Sequence, residues 1–321
     1  MPLTWEPLTA GAWMAQVQDQ PHYVLQDLLP ADANILMSGK AKRAFKSWMV
    51  DTLCAVIASG VTVGPLVPVE TKGVPVLSLA AEGPRAATRD RKLWLSKGMA
   101  INIASLDNYF FAHRESILLD DREWVFKIKA FIVARGIKFL TIDPLVMFTR
   151  SDENDVRQMA GIMRVLNEFR ALGVTVLFVH HLRKDQKDAD DDPDEEIRGT
   201  SALAGFYDQH WAFRQRHRWM RSSQTNELIL RSKDDEEKLF EVSWSIEKAL
   251  AQATLSMMSM SDEANMERRT AELKTLMFDG EPVSRRRIEE MLGIENAGDL
   301  LTRLVDGGIL VREGRNYRLE G

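Results

Sequence analysis

The residues most able to do chemistry sit where an apolar run meets a helix-like one. Asn34-Ile35-Leu36-Met37 leads into Ser38-Gly39-Lys40-Ala41-Lys42-Arg43-Ala44-Phe45-Lys46-Ser47, and apolar positions 49, 50, 53, 54, 56 and 57 then follow a helical period up to Gly60. Strand, loop, Lys-Ser, helix is a phosphate-binding order. Backbone N–H groups and the helix N-terminus bind phosphate oxygens, Lys46 reaches the terminal phosphates, and the Ser47 hydroxyl holds Mg2+. The segment from Gly39 through Lys42, Arg43, Ala44 and Phe45 to Trp48 is therefore assigned to nucleotide. The motif G-x-x-x-x-G-K-[ST] is incomplete: Phe45 stands where its second glycine belongs, and Gly39 lies one position too far upstream.

Three further apolar runs each end in a chemically useful group. Residues 74–81 close on Glu82-Gly83, and a carboxylate at the carboxyl end of a parallel strand faces the ligand crevice, where it can take a proton from an attacking water. Ile137–Ile142 closes on Asp143-Pro144, a carboxylate placed to orient Mg2+-bound water. Val174–Val179 closes on His180-His181, which can contact a γ-phosphate, bind a metal, or hydrogen-bond structurally.

Runs of this kind, buried on both faces and alternating with helical patterns, predict an α/β protein with a mostly parallel sheet and helices on both faces. Gln209–Gln215, Asn226–Ser232 and Lys238–Trp244 read as antiparallel additions at one edge. Residues 249–265, rich in Ser and Met, read as a linker. Beyond it, helical patterns near 267–278, after Ser284 and over Ala297–Val305, then two strands about Glu313–Asn316, predict a small winged-helix domain at 266–321. The expected division is an arm at 1–30, carrying Trp5, Trp13 and Tyr23, a core at 31–248, the linker, and the winged unit.

Composition supports this reading. With 321 residues, 45% hydrophobic and 28% charged, the chain buries a large core without disulfides and is neither collagenous, wholly coiled-coil nor wholly disordered. Its one cysteine, Cys54, lies in an apolar run and is expected as buried packing, and no Cys/His cluster has zinc spacing. The opening residues lack a basic start and an apolar core, and no apolar stretch reaches the ~20 residues of a membrane span, so a soluble cytoplasmic protein is expected. The net charge of −5 is mostly one tract: residues 185–196 hold eight carboxylates and one lysine, and the rest of the chain carries +2. That remainder tolerates a polyanion.

Together these residues resemble the RecA-fold ATPases of the plasmid RepA type, relatives of ring-shaped replicative helicases. The features that carry the resemblance are Lys46-Ser47, Ala81-Glu82-Gly83, Ile142-Asp143-Pro144, Val179-His180-His181-Leu182-Arg183-Lys184 and Ile197-Arg198-Gly199-Thr200-Ser201-Ala202. The resemblance implies ATP and Mg2+ as ligands and a homo-hexameric ring with nucleotide at each subunit boundary. It also implies Arg198 as an arginine finger and Arg231 with Lys233 as a basic pair acting across that boundary. Single-stranded DNA is the implied track, contacted by Arg150, Arg157, Arg183 and Lys184, with a primase or other replication protein as a further partner. The expected activity is an ATP-driven DNA motor of a plasmid, phage or other mobile element. A RecA-like recombination or annealing ATPase and a non-motor nucleotide-binding adaptor stay open. The interleaved aromatic and basic residues of Trp211–Arg221 suit base stacking or an edge hairpin with one buried face. The arginines opening the helix at Ser284 suit either DNA or protein docking, since residues 262–321 carry 10 basic and 13 acidic groups.

Overall fold

The computed structural model describes residues 8–17, 22–39, 45–153, 155–181, 206–215, 224–233, 236–260, 270–271, 273–277, 281–292 and 297–319. Lys42, Arg43, Ala44, Arg183, Lys184, Arg198, the acidic tract and the side chain of His181 lie outside that set.

A nine-stranded sheet forms the centre. Its strands are β3 (Asn34–Gly39), β4 (Val76–Ala80), β5 (Tyr109–His113), β6 (Phe139–Asp143), β7 (Thr175–His181), β8 (Gln209–Gln215), β9 (Gln224–Ser232), β10 (Lys238–Glu247) and β11 (Gln252–Met260). Their spatial order is β11-β10-β9-β8-β3-β7-β6-β4-β5. All pairings from β8 to β5 are parallel, and those from β8 to β11 are antiparallel. Helices α2 (Lys46–Ser59), α3 (Arg85–Met99), α4 (Arg122–Arg135) and α5 (Val156–Arg170) connect the parallel strands.

The chain runs outward from β3 through β4 to β5, then returns through β6 to β7. Right-handed crossovers put the helices of outward and inward steps on opposite faces. Accordingly the residues of α2 and α3 enter one core, with Met49, Leu53, Val56 and Leu95, and those of α4 and α5 enter the other, with Val125, Ile132, Ile162 and Phe169. Strands β3, β6 and β7 lie between the two cores and contribute to both, which is why they read as continuous apolar runs.

Three expectations change. Gln209–Gln215 is not an antiparallel addition, since β8 pairs parallel to β3 and only β9 to β11 extend the sheet antiparallel. Residues 252–260, expected as linker, form β11, paired with β10 from Gln252↔Glu247 to Met260↔Leu239. Ala253 and Met257 turn into the core while Thr254 and Met258 stay exposed, an alternation that Ser and Met composition hid. The strand also lies so close to α3 that a Cβ on Gly98 would fall 1.9 Å from the Ala253 carbonyl oxygen. Finally, residues 23–30, within the segment expected as an arm on a neighbouring copy, pack on the core of their own chain. Strands β1 (Tyr23–Leu25) and β2 (Leu29–Pro30) form a hairpin whose Leu25, Leu28 and Leu29 are buried in the first core. Helix α1 (Ala10–Val17) differs: Trp13 and Met14 are exposed.

The C-terminal elements are β12 (Val283–Ser284), α6 (Arg285–Leu292), α7 (Gly298–Asp306), β13 (Leu310–Glu313) and β14 (Asn316–Leu319), with a three-stranded sheet in the order β12-β14-β13. They share a separate core that includes Leu273, Ile288, Leu301, Leu304 and Leu310.

Candidate nucleotide site

The carboxyl ends of β3, β4, β6 and β7 converge, as the crevice of an open parallel sheet requires. Lys46 opens α2 and is buried, its Nζ donating to the Gly39 carbonyl at 2.5 Å across the loop. Burial pushes its ammonium down to about 8, against the opposing fields of Asp143 and Glu82. Asp143 ends β6 and is also buried, so its carboxyl is pushed up to about 6. The hydrogen bond from Ser47 and the field of Arg91 pull the other way. Phosphate-loop hydroxyl and strand-end carboxylate are therefore in direct contact. Register sets Ala80 opposite Asp143, so Glu82 projects from the loop just beyond, exposed and close enough for both Lys46 and Asp143 to feel its charge.

Phe45 explains the missing glycine. It adopts φ 50°, ψ 28°, a left-handed conformation at the N-cap of α2. A glycine takes that geometry freely, whereas a residue with a Cβ costs about 1–2 kcal/mol there. The Phe45 ring stacks on Trp244 at 5.5 Å between centroids and meets Trp48 edge-on at 6.1 Å. Such contacts, worth ~0.5–1.5 kcal/mol each, offset the strain. Phe45 thus makes, with a side chain, a left-handed turn into α2 that a glycine would make without strain.

His180 is buried, with Ser38 as its register partner on β3. Ser38 in turn bonds His210 Nε2 at 2.7 Å on the other side, tying β3 to β8. Among the described residues, which leave out the side chain of His181, no group of three His, Cys, Asp or Glu could hold a metal. Ser47 and Asp143 instead offer the two hard oxygen ligands that suit Mg2+, an ion that takes its remaining ligands from water and phosphate.

Arg231 and Lys233 are not brought to this cradle. Ser232 pairs with Gln209, which pairs with Ile35, so both cations sit at the amino end of β3 while the phosphate loop follows its carboxyl end. Arg231 bonds Glu237 at 2.5 Å, and Lys233 is exposed. The side chains of Arg150 and Arg157 are exposed near the β6–α5 connection. Trp211 and Phe213 are buried in the first core, so their rings are not available to bases. Cys54 is buried as expected, and burial pushes its thiol up to about 12.

Sequence reasoning missed one cluster. Asp51, one turn after Ser47 on α2, is fully buried among cations from α3. A lone carboxylate inside the run Trp48-Met49-Val50-Asp51-Thr52-Leu53-Cys54 was the available signal.

A RecA-like fold with a lysine, a hydroxyl and a strand-end carboxylate at the crevice defines a P-loop ATPase. The chain belongs to the AAA domain family, whose model matches residues 2–187. Among solved structures it is similar to a KaiC-like protein from the hyperthermophilic archaeon Pyrococcus horikoshii OT3. The TM-score is 0.51 at 10% identity, over 73% of this chain and 93% of that one, a likeness of fold. No curated protein sequence matches the chain.

Proposed function

We propose that the protein is an ATP-driven motor acting on single-stranded DNA as a closed ring of identical subunits, in the replication of a plasmid, phage or other mobile element. The observation that carries this reading is the separation of two charged sites. The cradle of Lys46, Ser47 and Asp143 is at the carboxyl end of the parallel strands, and the pair Arg231 and Lys233 is at the amino end of β3. A head-to-tail ring needs two different faces of each subunit, so that one copy's cations meet the next copy's nucleotide. Arg198 is assigned the finger in the same boundary.

In this reading the loop backbone and Lys46 hold the phosphates of ATP, and Ser47 and Asp143 hold Mg2+. Held by Ser47 and Asp143, such an ion would supply positive charge against the phosphates of the nucleotide. Glu82 accepts a proton from the attacking water. The water oxygen bonds to the γ-phosphorus as the bond to the bridging oxygen breaks, releasing ADP and phosphate. His180 and His181 report the γ-phosphate to the segment carrying Arg183 and Lys184, which with Arg150 and Arg157 contacts the DNA strand. The unit at 281–319 is assigned as a winged helix, and α1 as an arm on a neighbouring copy.

The test is ATP hydrolysis with and without single-stranded DNA, alongside oligomer mass. DNA-stimulated turnover by a closed ring, lost in Lys46→Ala and in Glu82→Gln, is expected. A filament on DNA would favour recombination, and absence of turnover in the unmodified chain would sink the enzyme reading.

A further inference from the structure

Asp51 is a buried carboxylate bonded by Arg91, Lys92 and Tyr109, and the phosphate chemistry does not use it directly. Arg91 Nε reaches its Oδ2 at 2.6 Å, Lys92 Nζ bonds its Oδ1, and the Tyr109 hydroxyl donates to Oδ1 at 3.3 Å. Lys92 Nζ also bonds the Tyr109 oxygen at 2.6 Å and sits over the Tyr109 and Phe111 rings, 4.7 and 4.0 Å from their centroids. Burial pushes the Asp51 carboxyl up, but Lys92 and Arg91 outweigh it and hold the group below the usual carboxylate range. Removing one partner of such a pair strands the other charge in a low-dielectric interior.

The elements it joins give the cluster its meaning. Asp51 lies one turn along α2 from Ser47, on the helix that opens with Lys46. Arg91 and Lys92 lie on α3, whose first residue, Arg85, is three after Glu82. Tyr109 and Phe111 lie on the edge strand β5, next to β4, which leads into Glu82. Phosphate cradle and water-facing carboxylate thus hang from two helices locked together at one buried carboxylate. Catalysis that depends on positioning falls steeply with misplacements of about 1 Å.

We infer that Asp51, with Arg91 and Lys92, is a positioning cluster that sets Glu82, in the turn leading into α3, at its working distance from the phosphates held at the start of α2. It rests on the ATPase reading, and it assigns these residues no contact with nucleotide. The cradle should therefore bind ATP normally when the cluster is broken, while the water-activating step slows.

Steady-state hydrolysis by the full chain tests this with Asp51→Asn, Lys92→Met, Lys92→Arg and the double variant Asp51→Asn/Lys92→Met. Expected are a fall in kcat of about 10–100-fold in each single truncation with KM for ATP changed less than about threefold. Lys92→Arg should recover most of the loss, and the double variant should be no slower than the worse single one, because it removes both members of the Asp51–Lys92 pair. Should Asp51→Asn fail to fold, the Lys92 pair, at the less buried rim of the cluster, carries the test alone. A folded Lys92→Met with parental kcat overturns the inference, as does a KM that rises in step with the fall in kcat. An inactive parent chain overturns the ATPase reading and this inference together, whereas an active parent with equally active variants overturns this inference alone.

Discussion

The Phe45 ring lies against the Trp244 indole, 5.5 Å between centroids and 24° from parallel, so the residue that caps α2 rests on the antiparallel extension of the sheet. That contact holds a non-glycine residue in a left-handed turn and links the nucleotide cradle to β10.

Replacement of Phe45 separates strain from packing. Phe45→Gly removes the aromatic contacts and the left-handed penalty together, so its stability should stay within about 1 kcal/mol of the parent. Phe45→Ala loses the rings but keeps the penalty, and should be less stable than Phe45→Gly by about 1 kcal/mol or more. Denaturant unfolding of the pair measures the difference. An Ala variant as stable as the Gly variant would show that φ 50° carries no strain.

The two shifted groups of the cradle define a pH window. Asp143 must be ionised to hold the metal and is protonated below about 6, while Lys46 must be protonated to hold phosphate and loses its proton above about 8. A plot of log kcat/KM for ATP against pH should therefore be bell-shaped with limbs near those values, since that ratio reports the free protein. A profile flat from pH 5 to 9 contradicts the roles assigned to both groups.

Site and stability should oppose one another. The folded Asp143 carboxyl binds its proton more tightly than the unfolded one, whose ordinary value is 3.8. Its contribution to stability is thus favourable below that value and is lost as pH rises through about 6. At pH 7.5 the ion is a net burden, and Asp143→Asn, which keeps an acceptor for Ser47, should raise Tm by about 2–4 °C while abolishing turnover. Calorimetry at pH 5 and 7.5 checks the sign: the gain should shrink at the lower pH.

Gly98 fixes how closely β11 approaches α3. A methyl there would meet the Ala253 carbonyl at 1.9 Å, a backbone atom that no side-chain rotation can move. Gly98→Ala should cost about 3 kcal/mol, or release β11 from the sheet. Thermal unfolding with limited proteolysis of residues 250–260 distinguishes these outcomes, and an unchanged Tm with full protection would mean that the two elements separate freely.

The parallel half of the sheet was legible in the chain because strands buried on both faces must be apolar throughout, and β3, β4, β6 and β7 advertise that. Their polar ends, Lys46-Ser47, Glu82, Asp143 and His180, stood out because charge rarely closes such a run without a ligand to meet. Composition could not reveal β11, whose alternating burial depends on α3 lying beneath it. Nor could it show that β8 is parallel, since strand direction depends on the path between strands. Phe45 looked like a damaged motif in one dimension, and only the tertiary contact with Trp244, 199 residues further along the chain, offsets the strain of its left-handed turn. Asp51 likewise reads as a stray acid on an apolar helix until α3 brings Arg91 and Lys92 against it. Local sequence dictated which elements form and what chemistry ends them. Long-range packing decided which charges are neutralised, because a buried ion's energy is set by neighbours that its own segment does not contain.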